Sequence, residues 1–192
     1  MKRYIYILIL IPLFTISKTN AQNVFGVKAG LNFSSWNTSI NGVKVNNTRS
    51  LKMMYGGFVN HRFSEKVSLQ TELLYQQMGV VMDKVSYDQS YVYVPVILNF
   101  DINELVLSTG FQVGKLLSAK SDFGNIQSKF NQFDYQFILG SSYVFSNHIE
   151  LELRYGLGLN NIASKNVFNI LNDQTKNEIK NNSIGVSLNY SF

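Results

Sequence analysis

The sequence predicts an all-β fold, an eight-stranded antiparallel up-and-down transmembrane β-barrel preceded by a cleavable signal peptide. Three observations predict it. Apolar and polar residues alternate with period two along successive segments, and the connections between those segments alternate between short and long. Charged residues make up only 15% of the 192 residues while aromatics make up 14%, a composition poorly suited to a water-exposed surface. Four of the segments, all running toward the short connections, end in Phe.

Residues 1–21 read as the signal peptide and 22–192 as the barrel domain. Met1-Lys2-Arg3 is a basic start, Tyr4 to Phe14 an apolar run interrupted by Pro12, and Thr19-Asn20-Ala21 a small-residue end, the three-part layout of a secretory leader. The apolar run is shorter than the about 20 residues a transmembrane helix needs. Cleavage after Ala21 removes Lys2, Arg3 and Lys18, which lowers Lys+Arg from 17 to 14 against 12 Asp+Glu and the net charge from +5 to +2. The basic balance therefore belongs largely to targeting, and no basic stripe with interleaved aromatics is left to engage nucleic acid. The chain has no Cys, which excludes disulfides, Cys-ligated zinc, thiol catalysis and a lipidated Cys anchor.

The mature chain opens with Phe25, Val27, Ala29, Leu31 and Phe33 alternating against Gly26, Lys28, Gly30, Asn32 and Ser34, a strand with one apolar and one polar face. From Val67 one parity is Val67, Leu69, Thr71, Leu73 and Tyr75, set against Ser68, Gln70, Glu72, Leu74 and Gln76. From Ile149 it is Ile149, Leu151, Leu153, Tyr155, Leu157 and Leu159, set against Glu150, Glu152, Arg154, Gly156 and Gly158. The last segment repeats the pattern from Ile184 to Phe192. Leu51 to Phe63, Tyr91 to Phe100, Leu105 to Gly114 and Phe133 to Phe145 complete a set of eight.

Tight connections are expected at Ser64–Lys66, Asp101–Glu104 and Ser146–His148, a medium one at Met82–Ser90, and long polar ones at Ser35–Ser50, Ser118–Gln132 and Ile162–Asn182. Short turns on one rim and long loops on the other are the layout of a barrel spanning the bacterial outer membrane, with the short turns periplasmic. A soluble lipocalin-like barrel also alternates with period two. Here, however, the polar parity is mostly Gly, Ser, Asn and Gln, which suits the narrow interior that eight strands leave, so the apolar parity is expected to face lipid. The direction of Leu151, Leu153 and Leu157 separates the two arrangements.

The downward strands end in Phe63, Phe100, Phe145 and Phe192, each on the apolar parity of its strand, which predicts a membrane aromatic girdle. Trp36, just past the first strand, is expected to anchor the opposite interface. Pro95 lies inside a strand of a closed sheet, where the missing N–H predicts a bulge or kink.

Together these segments resemble the PorT-like family of small bacterial outer-membrane β-barrel proteins. The resemblance rests on Gly26-Val27-Lys28-Ala29-Gly30-Leu31-Asn32-Phe33, Tyr91-Val92-Tyr93-Val94-Pro95-Val96-Ile97-Leu98, Phe133-Asp134 with Gly140, Arg154-Tyr155-Gly156-Leu157-Gly158-Leu159-Asn160-Asn161-Ile162, and the terminal Tyr190-Ser191-Phe192. It covers the mature chain but departs where Tyr93 replaces an acidic residue before the Ile-Pro-type pair and Gln136 replaces a Gly. The resemblance implies an outer-membrane barrel and, in one branch of the family, a role in protein secretion or envelope assembly.

Parity places Lys28, Arg62, Glu72, Asp134, Glu150, Glu152 and Arg154 in the lumen, three positive charges against four negative, where mutual pairing into a polar network is expected. No catalytic, cofactor or metal site is expected. His61 falls on the lipid-facing parity near the periplasmic rim and His148 in a tight turn, and no nucleophile motif surrounds Ser64 or Ser68. The long loops, rich in Asn, Ser, Thr and Lys, suit a hydrated surface, with Phe168-Asn169-Ile170-Leu171 the one apolar patch among them.

The expected partners are outer-membrane lipid and lipopolysaccharide, the barrel-assembly machinery through the C-terminal Phe192 strand, and a protein at the long loops. The expected role is structural or surface-interacting. The alternatives are a soluble secreted ligand-binding barrel and a membrane-embedded lipid-modifying enzyme built around His61.

Overall fold

The computed structural model describes residues 23–40, 43–45, 47–82, 84–164 and 177–192. The expected signal peptide at 1–21 and the apolar patch at 168–171 lie outside them. The strands are β1 (Asn23–Ile40), β2 (Val43–Val45), β3 (Thr48–Arg62), β4 (Val67–Met82), β5 (Val85–Ile102), β6 (Leu105–Ser121), β7 (Gly124–Asn125), β8 (Phe133–Val144), β9 (Ile149–Gly158) and β10 (Asn177–Ser191). Eight long strands run in the order β1, β3, β4, β5, β6, β8, β9, β10, every neighbouring pair antiparallel. Pairing of β10 with β1, from Gly26↔Ser191 to Ile40↔Asn177, closes the ring. Closure leaves no sheet edge, which a barrel in lipid requires.

Period two translates directly into burial. Leu151, Leu153 and Leu157 are 38%, 51% and 39% exposed, whereas Glu152 and Arg154 between them are buried. The apolar face therefore points outward, as lipid demands and an apolar-cored soluble barrel forbids.

Several connections expected as loops are strand. β1 continues to Ile40 and folds back through β2, whose Val43 pairs Ile40, so most of 35–50 extends the wall. Met82 pairs Val85, and Lys84 before it has a φ of 66°, so the segment 85–90 expected in the medium loop is strand. β6 runs on to Ser121, and β10 begins at Asn177. Beyond the bilayer the outer face of a strand meets water instead of lipid and turns polar, so the alternation that marks it in sequence fades while its ladder continues and Trp36, Thr38 and Gln89 stay buried on the inner face. At the other end Asn103, with φ 56°, turns the β5–β6 hairpin.

Two local expectations are corrected. Trp36 does not anchor an interface: the extension of β1 carries it on the inward parity of Lys28 and Ser34, where it is buried between Tyr87 and Phe130, with ring centroids at 5.3 and 5.7 Å. Pro95 does not make a bulge. The missing N–H shows instead as a local interruption of the β4–β5 ladder, which skips from Thr71↔Val96 to Leu74↔Tyr93 with register unchanged, while Pro95 keeps its place opposite Gln112 on β6.

The register shifts of the wall lie elsewhere. One lies between Ser90 and Tyr91 of β5, and another on β3 between Arg49 and Met54, where pairing with β4 shifts register. Behind the second, β1 side chains serve the β4 backbone. Asn32 Nδ2 donates to Gln77 O at 3.0 Å, and Ser34 Oγ both donates to Gly79 O at 2.8 Å and accepts from Gly79 N at 2.6 Å.

Candidate functional site

The lumen holds the protein's concentration of polar chemistry, arranged in levels. At the short-turn end it opens as a vestibule of about 710 Å³ bordered by Asn60, Arg62, Gln70, Asn99, Asp101 and Glu150. Its inner end is a ring segment, a hydrogen-bonded chain of four residues in which Gln70 Oε1 accepts from Asn60 Nδ2 at 3.2 Å and Asn99 Nδ2 at 3.3 Å, and Ser108 Oγ donates to Asn99 Oδ1 at 2.8 Å.

Above the ring segment lies an ionic layer centred on Glu72. Arg154 donates to it in bidentate fashion, Nη1 to Oε2 at 2.9 Å and Nη2 to Oε1 at 2.8 Å. Lys28 Nζ reaches Glu72 Oε1 at 2.8 Å and Glu152 Oε2 at 2.6 Å, while Arg154 Nε contacts Glu152 Oε1. Gln70 Nε2 adds a donor to Glu72 at 2.6 Å, and Asn189 Nδ2 one to Glu152 at 3.0 Å. Two cations face two carboxylates, so the buried charges cancel and their hydrogen-bonding capacity is largely met, as an ionic cluster removed from water requires.

Asp134 belongs to a separate layer. Its Oδ2 accepts from Tyr93 OH at 2.6 Å, Gln136 Nε2 at 2.8 Å and Asn181 Nδ2 at 2.9 Å, and Gln112 Nε2 donates to Gln136 Oε1 at 2.9 Å. Still nearer the loop end, Trp36, Met78, Tyr91, Leu116, Phe130 and Ile162 form an apolar plug.

Two connections lock over the plug. Phe130 bridges Ala163, Asn131 N donates to Ile162 O at 2.8 Å, Ser164 N to Lys129 O at 2.9 Å, and Asn131 Nδ2 to Asn161 O at 2.8 Å. Among the described residues these layers fill the lumen with buried side chains and bind its walls together.

Of the seven charged residues placed inward by parity, Lys28, Glu72, Glu152 and Arg154 meet in one cluster, and Asp134 lies apart from it. Glu150 sits at the vestibule, where Asn189 Nδ2 donates to it at 3.3 Å. Arg62, the last residue of β3, borders the vestibule half exposed at the rim and pairs with Asp101 at 2.9 Å, apart from the cluster. Tyr91, Tyr93, Gln112, Gln136 and Asn181 carry the upper layers without formal charge, and only their inward parity marked them in sequence.

Phe63, Phe100, Phe145 and Phe192 stand exposed on the outer face at the short-turn end, where Phe63 meets His61, Phe145 meets Tyr143 and Phe192 meets Tyr190 edge-on. His61 Nδ1 lies 2.7 Å from Asn23 Oδ1, and His148 Nδ1 lies 2.8 Å from Ser191 O. Ser64 Oγ accepts from Val67 N at 3.1 Å within its turn. No imidazole–serine hydroxyl bond joins these groups, and no three His, Cys, Asp or Glu side chains converge as metal ligands, among the described residues.

A closed eight-stranded ring with an apolar exterior and a filled polar interior defines a small transmembrane β-barrel. The chain belongs to the outer membrane protein beta-barrel domain family, which matches residues 6–192, and it is an integral protein of the bacterial outer membrane. Among solved structures it is similar to Neisserial surface protein A, at 12% identity over 88% of this chain and 97% of that one, with a TM-score of 0.57. It also matches Ail of Yersinia pestis, at 16% identity over 89% and 99% of the two chains with a TM-score of 0.49. OprG of Pseudomonas aeruginosa matches at 13% identity over 90% and 97%, with a TM-score of 0.48. At these identities the likeness is one of fold. Comparison with curated proteins yields no match.

Proposed function

We propose that the chain is a non-conducting outer-membrane barrel whose working surface is its loop end. The observation that carries this reading is the filled lumen: among the described residues an ionic layer, a hydrogen-bonded layer around Asp134 and an apolar plug under bridged connections stand across it, so recognition falls to what the strands carry beyond the bilayer. The long strands support it by raising that end clear of the membrane, and the β6–β7 hairpin presents Phe123, 87% exposed, at its tip. An aromatic held in water on a rigid hairpin suits contact with a partner.

Lipopolysaccharide and a protein are the partners in this reading, with the barrel-assembly machinery acting on the Phe192 strand during insertion. The narrower role in protein secretion or envelope assembly rests on the PorT-like sequence resemblance. Catalysis has no part in the proposal.

Two measurements test it. In planar bilayers the purified barrel is expected to give no unitary conductance steps, and regular steps from the wild type would overturn the closed-lumen reading. A photoreactive residue at position 123 is expected to cross-link to lipopolysaccharide or one defined protein on intact cells. A position that labels nothing on cells carrying the correctly inserted barrel would overturn the assignment of that surface.

A further inference from the structure

We propose that the outer wall carries a seat for one lipid acyl chain, a groove over Gly57 crossing β1, β3, β4 and β5. The groove has a volume of about 800 Å³, within the roughly 300–1,000 Å³ of small-molecule sites. Its outward border is Phe25, Tyr55, Val59, Leu73 and Val94, and Gly57 supplies a floor without a side chain. Gly57 pairs Val27 on one side and Leu73 on the other, both of which project outward, so the missing side chain leaves a depression in an otherwise continuous apolar surface. The interruption of the β4–β5 ladder beside Pro95, between Thr71↔Val96 and Leu74↔Tyr93, lies along the same strip of wall.

Depth identifies the occupant. The groove runs from Val59 to Tyr55, four to eight residues above Phe63 at the periplasmic rim, and a membrane-crossing strand takes about 9–11 residues, so it lies within the hydrocarbon. Its upper border is the Tyr55–Tyr75 pair, with ring centroids 5.2 Å apart and Tyr75 OH bonded to Ser90 Oγ at 3.0 Å, a hydroxyl-tipped edge of the kind that marks a membrane interface. Water gains nothing in such an apolar slot.

Between two apolar phases the discriminating force is packing. A chain lying in the groove touches wall on three sides instead of one and gains the corresponding dispersion contacts. A second barrel is the rival occupant, but its convex wall is held off by Phe25, Tyr55 and Leu73, which are 56%, 53% and 61% exposed, whereas a flexible chain threads between them.

Gly57→Leu tests the seat without breaking the wall. A Cβ there meets nothing nearer than Gly26 O at 3.5 Å, an ordinary contact, so the added side chain fills the groove. Thr71→Leu fills it from β4 and serves as an independent variant should Gly57→Leu fail to fold, with folding read from heat-modifiable gel migration. Val113→Leu, an outward position on β6, is the control.

The full barrel is extracted in mild detergent, given phosphatidylethanolamine and examined by native mass spectrometry at energies that strip loosely held lipid. The expected result is one retained lipid on the wild type and the control, with retention roughly tenfold lower in either groove variant, equivalent to about 1.4 kcal/mol. Equal retention in all folded proteins, meaning annular lipid only, would overturn the proposal, as would a wild-type dimer that the groove variants dissociate.

Discussion

The two ends of the lumen are closed by opposite means. Toward the periplasm the closure is ionic: Lys28 on β1, Glu72 on β4, and Glu152 and Arg154 on β9 hold one another across the barrel, with 44 residues separating Lys28 from Glu72 and 124 separating it from Glu152. Toward the loops it is apolar, a plug of Trp36, Phe130, Ile162 and their neighbours held down by a few backbone bonds between two connections. An ionic layer buried in the wall tolerates no missing partner, because each remaining charge has lost its water. The apolar closure involves segments at the water-exposed end, where a broken bond is replaced by one to solvent. The barrel is thus fixed at its base and more easily opened at its top.

The strongest way to break the comparison is to remove the hub of the ionic layer. Glu72→Gln leaves Lys28 and Arg154 sharing Glu152 alone, and is expected to cost about 3–5 kcal/mol, read as a shift of the urea unfolding midpoint of the vesicle-inserted barrel. Removing one charge of each sign, Lys28→Met with Glu152→Leu, preserves the bidentate Arg154–Glu72 pair and is expected to cost less than Glu72→Gln. If the double variant is the less stable, the layer is held by packing and not by charge balance.

A smaller effect is expected from the layer between the two closures. Gly114 faces inward, and a Cβ there would run into the ring of Tyr93, whose hydroxyl donates to Asp134. Gly114→Ala is expected to displace that ring and cost about 1–3 kcal/mol by overpacking, measured by the same unfolding assay, and to leave the ionic layer below it intact. An unchanged midpoint would mean that the middle layer repacks as freely as the plug.

The charged base was far more legible in the sequence than the plug. In a closed barrel period two is conserved from residue to fold, so the inward direction of Lys28, Glu72, Asp134, Glu152 and Arg154 could be counted off each strand. Which of them meet could not be counted, because that depends on register and stagger between strands far apart in sequence; Asp134 lies on another level from Glu72 for that reason. Arg62 shares the inward parity but stands at the rim, below the cluster.

At the loop end the signal itself fails. Beyond the bilayer the outer face of a strand meets water and carries polar residues too, while the inner face keeps Thr38 and Gln89 buried along with Trp36, so 35–40 and 85–90 read as loop although their ladders are regular. Trp36 was misplaced by this one error: once β1 is extended, its even number places it inside.

The lid offers a gentler test of the upper closure. Asn131 Nδ2 donates to both Asn161 O and Ala163 O, joining the connections that cover the plug, yet Asn131 is itself exposed. Asn131→Ala is expected to cost about 1 kcal/mol and to speed amide hydrogen exchange at Ile162 and Ser164, while exchange in β4 and β9 around Glu72 and Glu152 is unchanged. Faster exchange at both ends would mean that the closures open as one unit.

The smallest effect is expected at the rim, where it isolates burial as the cause of the base's strength. Arg62–Asp101 has the chemistry and nearly the distance of the Arg154–Glu72 pair, at 2.9 and 2.8 Å, but the Arg62 side chain is 49% exposed and that of Arg154 9%. Solvent screens the rim pair and both partners hydrate well when parted, so Arg62→Gln is expected to shift stability by less than about 1 kcal/mol, and less again at high salt. Set beside Glu72→Gln in one unfolding series, the gap between the two losses measures what removal from water adds to an ion pair of the same type. A rim loss as large as the buried one would place the stability of the base in charge pairing at any depth.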